Sequence, residues 1–268
     1  SNVPHSEIVE KAIEVRGLKI KVAKIDIPVA HSPAFEGERI RKEDMHCEFG
    51  GQRTPAFEWL RMREIGEVED GKVEIEGPNV DSVEEGGKLP LGVVVEVAGR
   101  KMQIDFEPVL ERQVHTFMNE AQGLWHMGQR DISWVRISKD AFKAGFKVEH
   151  IGKLLHAMYH EQYSSILDKV QVKIFTDEKQ VLKLSEMARK IWAVRDERLA
   201  GMTDEDVGTF YSCTLCQSFA PNHVCVVSPE RPGLCGAYSW LDCRAAYEII
   251  PTGPNQPISK GNCIEPTN

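Results

Sequence analysis

Five of the seven cysteines in this 268-residue chain lie in one stretch, FYSCTLCQSFAPNHVCVVSPERPGLCGAYSWLDC, residues 210–243. Two residues separate Cys213 from Cys216, eight separate Cys216 from Cys225, and nine separate Cys225 from Cys235. Two thiolates that are two residues apart can bind one metal centre from a single turn, and thiolates are ligands of both zinc and iron–sulfur clusters. The spacing therefore favours a metal centre held by four thiolates.

The residues alone leave three interpretations of this spacing open. A four-thiolate zinc site normally has two tight Cys-x2-Cys pairs, whereas here the second half of the set is spread. A four-iron cubane accepts irregular spacing because its corners lie farther apart, and unconnected buried thiols are the third interpretation. Cys243, on the possible helix SWLDCRAAYEII, is interpreted as a packed thiol, and Cys47 and Cys263 have no partners at ligand spacing.

Composition limits the class of protein. Hydrophobic residues make up 41% and charged residues 28% of the chain, which is ordinary for a globular protein that builds its own core. The net charge of −8 argues against a general nucleic-acid binder, and the longest apolar runs are far shorter than a bilayer span. The N-terminal residues lack a signal-peptide pattern, so we expect a cytoplasmic protein with reduced thiols.

The elements that must position the cysteines alternate between strands and helices. Hydrophobic periodicity predicts a loop over 30–55, a short helix over 56–65 and a hairpin over 93–106 that turns at Gly99-Arg100. Further along, it predicts strands over 131–138 and 169–177 and helices over 107–123, 149–167 and 177–201. This order indicates an α+β fold built of α/β sandwich layers.

A domain boundary is predicted at Gly201, which the polar run MTDEDVG follows. Residues 1–200 then form an α+β domain with a mixed sheet. Residues 201–268 form a second, cysteine-rich unit dominated by loops.

The cysteine segment, extended to FYSCTLCQSFAPNHVCVVSPERPGLCGAYSWLDCRAA, closely resembles the A-cluster segment of the CO-methylating acetyl-CoA synthase family. The stretches AFEGERIRKEDMHCEFGG and EAQGLWHMGQRDISWVRISKDA resemble the middle domain of that family. The resemblance implies that residues 1–200 are the middle domain, with a coenzyme A-binding region. It implies that residues 201–268 are the front of an α/β catalytic domain.

The resemblance also implies cofactors and ligands. The family's A-cluster joins a [4Fe-4S] cubane to two nickel ions, and the positions that match its cubane ligands are Cys213, Cys216, Cys225 and Cys235. Cys216 matches the thiolate that also bridges to the proximal nickel. Phe219 matches an aromatic residue beside that nickel, which is thought to control access to it.

The reaction implied is that of an acyltransferase, which combines CO, a methyl group from a corrinoid iron–sulfur protein and coenzyme A into acetyl-CoA. Carbon monoxide dehydrogenase is the implied partner. Coenzyme A is anionic and carries a flat adenine, so arginines and an aromatic ring suit it. Trp125, in a predicted loop, matches a tryptophan linked to coenzyme A, and Arg130 and Arg136 lie near it in sequence.

One departure from the family concerns the distal nickel, which a Cys-Gly-Cys motif holds in relatives. No Cys-x-Cys pair occurs in these 268 residues. We therefore expect a fragment that supplies the cubane and bridging thiols but is inactive alone. The alternative is a zinc- or cubane-stabilised interaction module without catalysis.

A second possible pair of metal ligands is His156 and His160, four residues apart on the predicted helix 149–167. Such a spacing can bind a metal ion, but the residues between them are AMY and there is no HExxH pattern. The simpler interpretation is one face of an amphipathic helix.

Overall fold

A computed structural model of the chain describes residues 24–35, 38–218 and 220–262. The α-helices of the described part are α1 (Glu107–Asn119), α2 (Lys139–Lys143), α3 (Val148–Tyr163), α4 (Glu178–Glu197) and α5 (Trp240–Ile249). The strands are β1 (Met45–Gly50), β2 (Ala56–Met62), β3 (Val73–Glu76), β4 (Gly87–Leu89), β5 (Leu91–Ala98), β6 (Leu124–Gln129), β7 (Ile132–Ser138), β8 (Lys169–Phe175), β9 (Thr209–Cys213), β10 (Cys225–Val227) and β11 (Pro257–Ser259). None of the described helices is long and apolar enough to cross a membrane.

The central sheet has the strand order β2-β5-β8-β3 and lies between two layers of helices. Strand β5 reads LGVVVEVA and is buried along its whole length, as expected of a β-branched strand that is covered on both faces. Val93 and Val95 contribute to the main core, which includes residues of α1 and α3, whereas Val94 packs with Trp192 of α4. The predicted α+β fold with layered, mixed sheets is confirmed.

The second sheet has the order β4-β1-β7-β6 and is also mixed, since β1 is parallel to β4 and antiparallel to β7. A buried polar group joins it to β2 of the central sheet. Glu58 of β2 accepts a hydrogen bond of 2.6 Å from the Ser133 hydroxyl and contacts His126 Nε2. His126 Nδ1 in turn lies 2.7 Å from Nδ1 of His115 on α1. These polar contacts hold the two sheets and α1 in fixed relation.

The third sheet, of order β10-β9-β11, is small and antiparallel, and carries the cysteine segment with α5. Helix α5 begins with a capping box in which Ser239 and Asp242 satisfy each other's backbone N–H groups. Its residues Ala245 and Ile249 belong to the main core, and it packs against α1 and the short 3-10 helix Ile104–Phe106. The cysteine segment is therefore anchored on the body of the molecule through α5.

Long periodic segments were predicted well, and short apolar ones were not. The helices predicted over 107–123, 149–167 and 177–201 correspond to α1, α3 and α4. The helix predicted over 56–65 is wrong, because these residues form β2, which pairs with β5 from Ala56 to Met62. The predicted loop over 30–55 contains β1. The predicted hairpin over 93–106 is also wrong, since both edges of β5 pair with the distant strands β2 and β8.

Candidate metal centre

Cys213 and Cys225 lie directly opposite each other on the antiparallel strands β9 and β10. Residues in such register project from the same face of a sheet, so the strand pairing brings two of the four predicted ligands together. Cys213 is buried and Cys225 is half-buried. Burial raises the pKa of the Cys213 thiol, and the N–H of Leu215 and the Asn255 amide partly offset that effect.

Cys216 follows β9 on the 3-10 helix Leu215–Ser218. The turn is closed by the N–H of Gln217, which donates to the Thr214 carbonyl at 3.1 Å, and by the N–H of Ala220, which donates to the Cys216 carbonyl at 2.8 Å. The thiol of Cys216 is half-buried. Phe219, the predicted residue beside the nickel, lies outside the described residues.

Cys235 lies in a tight loop before α5 and is exposed. The N–H of Gly233 donates to the Tyr238 carbonyl at 2.8 Å, and the N–H of Gly236 donates to the Gly233 carbonyl at 2.8 Å. Gly236 has φ +70°, a conformation that favours glycine. The turn aims the N–H of Ala237 at the Cys235 sulfur, 3.4 Å away. Such N–H groups lower the cost of negative charge on a ligand sulfur.

His223 is a further neighbour of the thiols, because its Nε2 lies 3.2 Å from the Cys225 sulfur. Its backbone carbonyl accepts a hydrogen bond of 3.2 Å from the Gln217 side chain, which fixes the loop between Cys216 and Cys225. The ring can donate a proton to the sulfur without binding a metal itself. Three of the four thiols thus have a polar hydrogen atom, or a group that can supply one, beside the sulfur.

The remaining cysteines have different surroundings. Cys243 is fully buried in α5, where burial raises the pKa of its thiol and its sulfur accepts a hydrogen bond of 3.2 Å from Asn255. Burial raises the pKa of the Cys47 thiol in β1 to about 12. Both are packed thiols, as the sequence led us to expect. Cys263 lies outside the described residues.

The separation of the sulfur atoms bears on the kind of centre that they fit. Around a tetrahedral zinc ion with Zn–S bonds of about 2.3 Å, the sulfurs lie about 3.8 Å apart. Among the described cysteines, no three sulfurs lie within 4.8 Å of one another. The described sulfurs therefore do not have the separation of an assembled tetrahedral zinc site, and the N–H groups beside three of them suit thiolate ligands of a metal centre.

Trp125, predicted to lie in a loop, is instead a buried residue of β6, and it pairs in register with Arg136 of β7. The Arg136 guanidinium carbon lies 5.1 Å from the centre of the Trp125 ring and 4.7 Å from that of Trp134. Arg136 also donates to Glu48 at 2.8 Å and to the Ile40 carbonyl at 2.9 Å. The strand pairing therefore brings Trp125 and Arg136 together, with the arginine already paired to protein groups.

Arg130 lies at the other end of the same hairpin, in the turn between β6 and β7, with φ +54°. It follows Trp125 by five positions, which corresponds to about 16 Å in an extended strand. Its guanidinium makes two hydrogen bonds to Asp196 of 2.8 and 3.0 Å, and it lies 5.6 Å from the centre of the Trp192 ring. The structure therefore does not bring Arg130 together with the other two predicted coenzyme A residues.

A cavity of about 280 Å³ lies beside Arg130, between the body of the molecule and the loop of Cys235. Its lining includes Pro232, Gly236 and Ala237 of that loop and four arginines of the body, which are Arg112, Arg130, Arg195 and Arg198. Sequence analysis did not select Arg112, Arg195 or Arg198. Each is one charge among many on α1, on α4 or directly after α4, and only the packing of these helices brings them to one cavity.

Comparison with known proteins matches both parts of the chain to one enzyme complex. Residues 27–181 match the family described as CO dehydrogenase/acetyl-CoA synthase complex beta subunit. Residues 192–268 match the family described as the C-terminal part of the ACS/CODH beta subunit. Together these two matches include the second sheet, the central sheet, the cysteine segment and α5.

Individual relatives are similar along nearly the whole chain. The carbon monoxide dehydrogenase/acetyl-CoA synthase subunit alpha of Moorella thermoacetica is 56% identical over 262 residues, which cover 98% of this chain and 36% of that protein. The acetyl-CoA decarbonylase/synthase complex subunit beta of Methanopyrus kandleri is 46% identical over 241 residues, 90% of this chain and 52% of that protein. The chain thus spans between one third and about half of these relatives.

Proposed function

This chain belongs to the CO dehydrogenase/acetyl-CoA synthase beta-subunit family, and on that premise we propose that its cysteine segment holds the [4Fe-4S] part of a nickel–iron–sulfur centre. The proposed cluster ligands are Cys213, Cys216, Cys225 and Cys235. The observation that carries the proposal is that Cys213 and Cys225 lie opposite each other on β9 and β10, that Cys216 follows on the turn after β9, and that Cys235, in the loop before α5, lies near Cys213.

We further propose that Cys216 is the thiolate that bridges the cubane to nickel. It is half-buried on a short turn, so one lone pair can face the cluster and another can face the outside. When bound, the centre supplies the soft metal atoms at which a methyl group, CO and the thiol of coenzyme A combine. The chain's own residues would hold the cluster, donate hydrogen bonds to its sulfurs and shield its buried side.

Arg130, Arg136 and Trp125 remain our proposed contacts for coenzyme A. The support is chemical, since guanidinium groups bind phosphates and an indole ring can stack on an adenine. Trp125 is buried here, so its ring would have to be uncovered before it could stack on coenzyme A. Arg136 would have to exchange part of its bond to Glu48 for a phosphate oxygen. CO, a corrinoid iron–sulfur protein and carbon monoxide dehydrogenase are the proposed partners of the whole acyltransferase. Because these 268 residues contain no Cys-x-Cys pair, we propose that they do not form acetyl-CoA by themselves.

The test is to measure iron, nickel and zinc per chain after purification under strict anaerobiosis. We expect about four irons per chain, the content of a cubane. Cys225→Ala and Cys235→Ala should hold fewer irons, and Cys216→Ala should lose nickel as well. Cys243→Ala is the matched control, because it removes a thiol of the same unit that packs in α5.

Two results would contradict the proposal. Zinc without iron would indicate a structural module without catalysis. Equal iron in the wild-type chain and in Cys225→Ala and Cys235→Ala would show that these thiols are not ligands.

A further inference from the structure

A second set of metal-binding side chains lies in the body of the molecule, away from the cysteine segment. Asp70, in the turn before β3, faces His156 and His160 of α3. Its Oδ1 atom lies 3.2 Å from His156 Nε2 and 2.7 Å from His160 Nε2. Within the described part of the chain, these residues form the one group of three histidine, cysteine or carboxylate side chains whose ligand atoms all lie within 4.8 Å of one another.

Two separate elements position these ligands. The histidines are one turn apart on α3, so their rings lie side by side with centres 4.6 Å apart. Asp70 is held from the other side, because the N–H of Val170 at the start of β8 donates to its Oδ1 at 2.9 Å. The next residue, Gly71, has φ +79°, and its N–H donates to the Val170 carbonyl at 3.0 Å. The turn is thereby fixed with the carboxylate facing the helix.

The ligand atoms of these side chains suit a transition-metal ion that is intermediate between a hard and a soft Lewis acid. Imidazole nitrogens and a carboxylate oxygen bind Zn²⁺ at about 2.0–2.2 Å, which places ligand atoms of a tetrahedral site about 3.3 Å apart. The separations of 3.2 and 2.7 Å from Asp70 Oδ1 are close to that value, so little movement is needed. Both histidines direct the same atom, Nε2, to one carboxylate oxygen.

We propose that Asp70, His156 and His160 form a binding site for a divalent transition-metal ion of the Zn²⁺ or Ni²⁺ class. The ion would replace the hydrogen bonds that now join the three side chains, and water would complete its coordination. The site is open to solvent, since the Asp70 side chain is 44% exposed and those of the two histidines are 28% and 29% exposed. A bound ion would tie α3 to the turn before β3.

This site is independent of the proposed cluster but affects how metal contents are interpreted. Nickel or zinc bound by two histidines and an aspartate would be counted with the metal of the thiols in any whole-chain analysis. Nickel found in the purified protein therefore needs to be assigned to one site or the other before it supports the role of Cys216.

The experiment is titration of the anaerobically purified full chain with Co²⁺, followed by optical absorption, together with equilibrium dialysis against Zn²⁺. Co²⁺ bound to histidine and carboxylate gives weak visible bands, which are read as a difference spectrum against the same protein before Co²⁺ is added, because the proposed cluster also absorbs there. Co²⁺ bound to any thiolate that carries no iron gives an intense near-ultraviolet charge-transfer band. The variants are Asp70→Asn, which can still accept the hydrogen bond from Val170, and His156→Ala. The control is Glu161→Gln, which removes one negative charge next to His160 on an exposed position of α3.

We expect both variants to lose one equivalent of bound metal and the visible bands, while the thiolate band is unchanged. Glu161→Gln should bind as much metal as the wild-type chain, and circular dichroism should show the same helix content in all four proteins. Equal metal binding by Asp70→Asn, His156→Ala and the wild-type chain would overturn the proposal. Unchanged visible bands in Asp70→Asn and His156→Ala would also overturn it, whatever happens to the thiolate band, because the added metal would then be bound elsewhere.

Discussion

Two regions of the molecule differ in how completely they bury their apolar side chains. The body, taken here as the described residues of 24–200, has a continuous apolar core between its helices and sheets, and it buries several charged groups within hydrogen-bonded networks. The cysteine unit, the described residues of 201–262, has a small core of its own, with Tyr211 and Trp240 as its largest members. It leaves several large apolar side chains in solvent, among them Leu234, which is 84% exposed.

This difference shows which region can hold its shape without a cofactor. The body has a continuous apolar core, and its buried charge network of Arg195, Glu107 and Glu111 is paired within it. The cysteine unit has short strands and loops that lead to thiols, and few apolar contacts hold those loops. We therefore expect a bound cluster to contribute to the folding free energy of the cysteine unit, as metals do in other small cysteine-rich units.

The two regions are joined by ion pairs as well as by the core residues of α5. Arg112 of α1 donates to Asp242 of α5 at 2.9 Å, and its guanidinium lies 4.6 Å from the centre of the Tyr238 ring. Asp105 pairs with Arg244 of α5 at 2.9 Å and, within the body, with Arg198 at 2.7 Å. The cysteine unit is thus held to the body by charges that are partly shielded from water.

The largest effect is expected from Arg195→Ala in the body. Arg195 donates to Glu111 at 3.0 Å and to the Leu60 carbonyl at 2.9 Å, and it also contacts Glu107. Its removal leaves the buried Glu107 without a cation and Glu111 with only the longer contact of 3.6 Å to Arg130, so we expect the free energy of unfolding in urea to fall by about 3–5 kcal/mol. Arg189→Ala, at an exposed pair with Asp131, should change it by no more than about 0.5 kcal/mol. A small loss in Arg195→Ala would mean that the body is not stabilised by this network.

The contribution of the ion pairs between the two regions is tested by Arg112→Ala. Asp242 would keep its bonds to Ser239, so we expect a loss of about 2–3 kcal/mol in the free energy of unfolding. Limited proteolysis should cut within residues 201–262 faster, while the body remains intact. Arg100→Ala, which breaks an exposed pair with Asp168, is the control and should leave both measurements nearly unchanged. Equal proteolysis of both regions would contradict the division proposed here.

Lowering the pH is expected to destabilise the body of the molecule, because unfolding allows His115 to bind a proton. Burial, with a smaller effect of His126, lowers the pKa of His115 from 6.5 to about 4. The unfolded chain therefore binds a proton that the folded chain excludes, and this stability is fully present above pH 6.5 and is lost as the pH falls toward 4. Between pH 6.5 and 5 we expect a loss of about 2 kcal/mol, at about 1.4 kcal/mol per pH unit. Urea unfolding should show this slope, and His115→Asn should flatten it.

The smallest change in the free energy of unfolding is expected from a substitution within the cysteine unit. Cys243→Ala removes one buried sulfur and should lower the free energy of unfolding by about 1 kcal/mol, because it leaves a small cavity in α5. Its iron content should stay at the wild-type value. A fall in iron as large as that of Cys225→Ala would mean that Cys243 is a ligand and that the four-thiol assignment is wrong.

Elements with a long or chemically specific sequence pattern could be predicted from local sequence. Helices α1, α3 and α4 were predictable because each holds its apolar period over several turns. Strand β2 was predicted to be helical because a short apolar run such as AFEWLRM suits either structure until its pairing with β5 is known. The same reason explains why the turn at Gly99 suggested a hairpin, although both neighbours of β5 come from distant parts of the chain.

The sequence by itself determined the family, because both parts of the chain match one enzyme complex, and the four thiol ligands are proposed from the cysteine spacing and from that family. It also determined the layered α+β class, which follows from the alternation of strand and helix patterns. Tertiary structure alone decided that Asp70 meets the histidines of α3, that Arg130 lies far from Trp125 along its hairpin, and that Arg112 reaches Asp242. The physical reason is that the contacts of Asp70 and of Arg112 join groups many residues apart, so only the packing of the elements sets the distance between them, and that Arg130 is separated from Trp125 because β6 is extended.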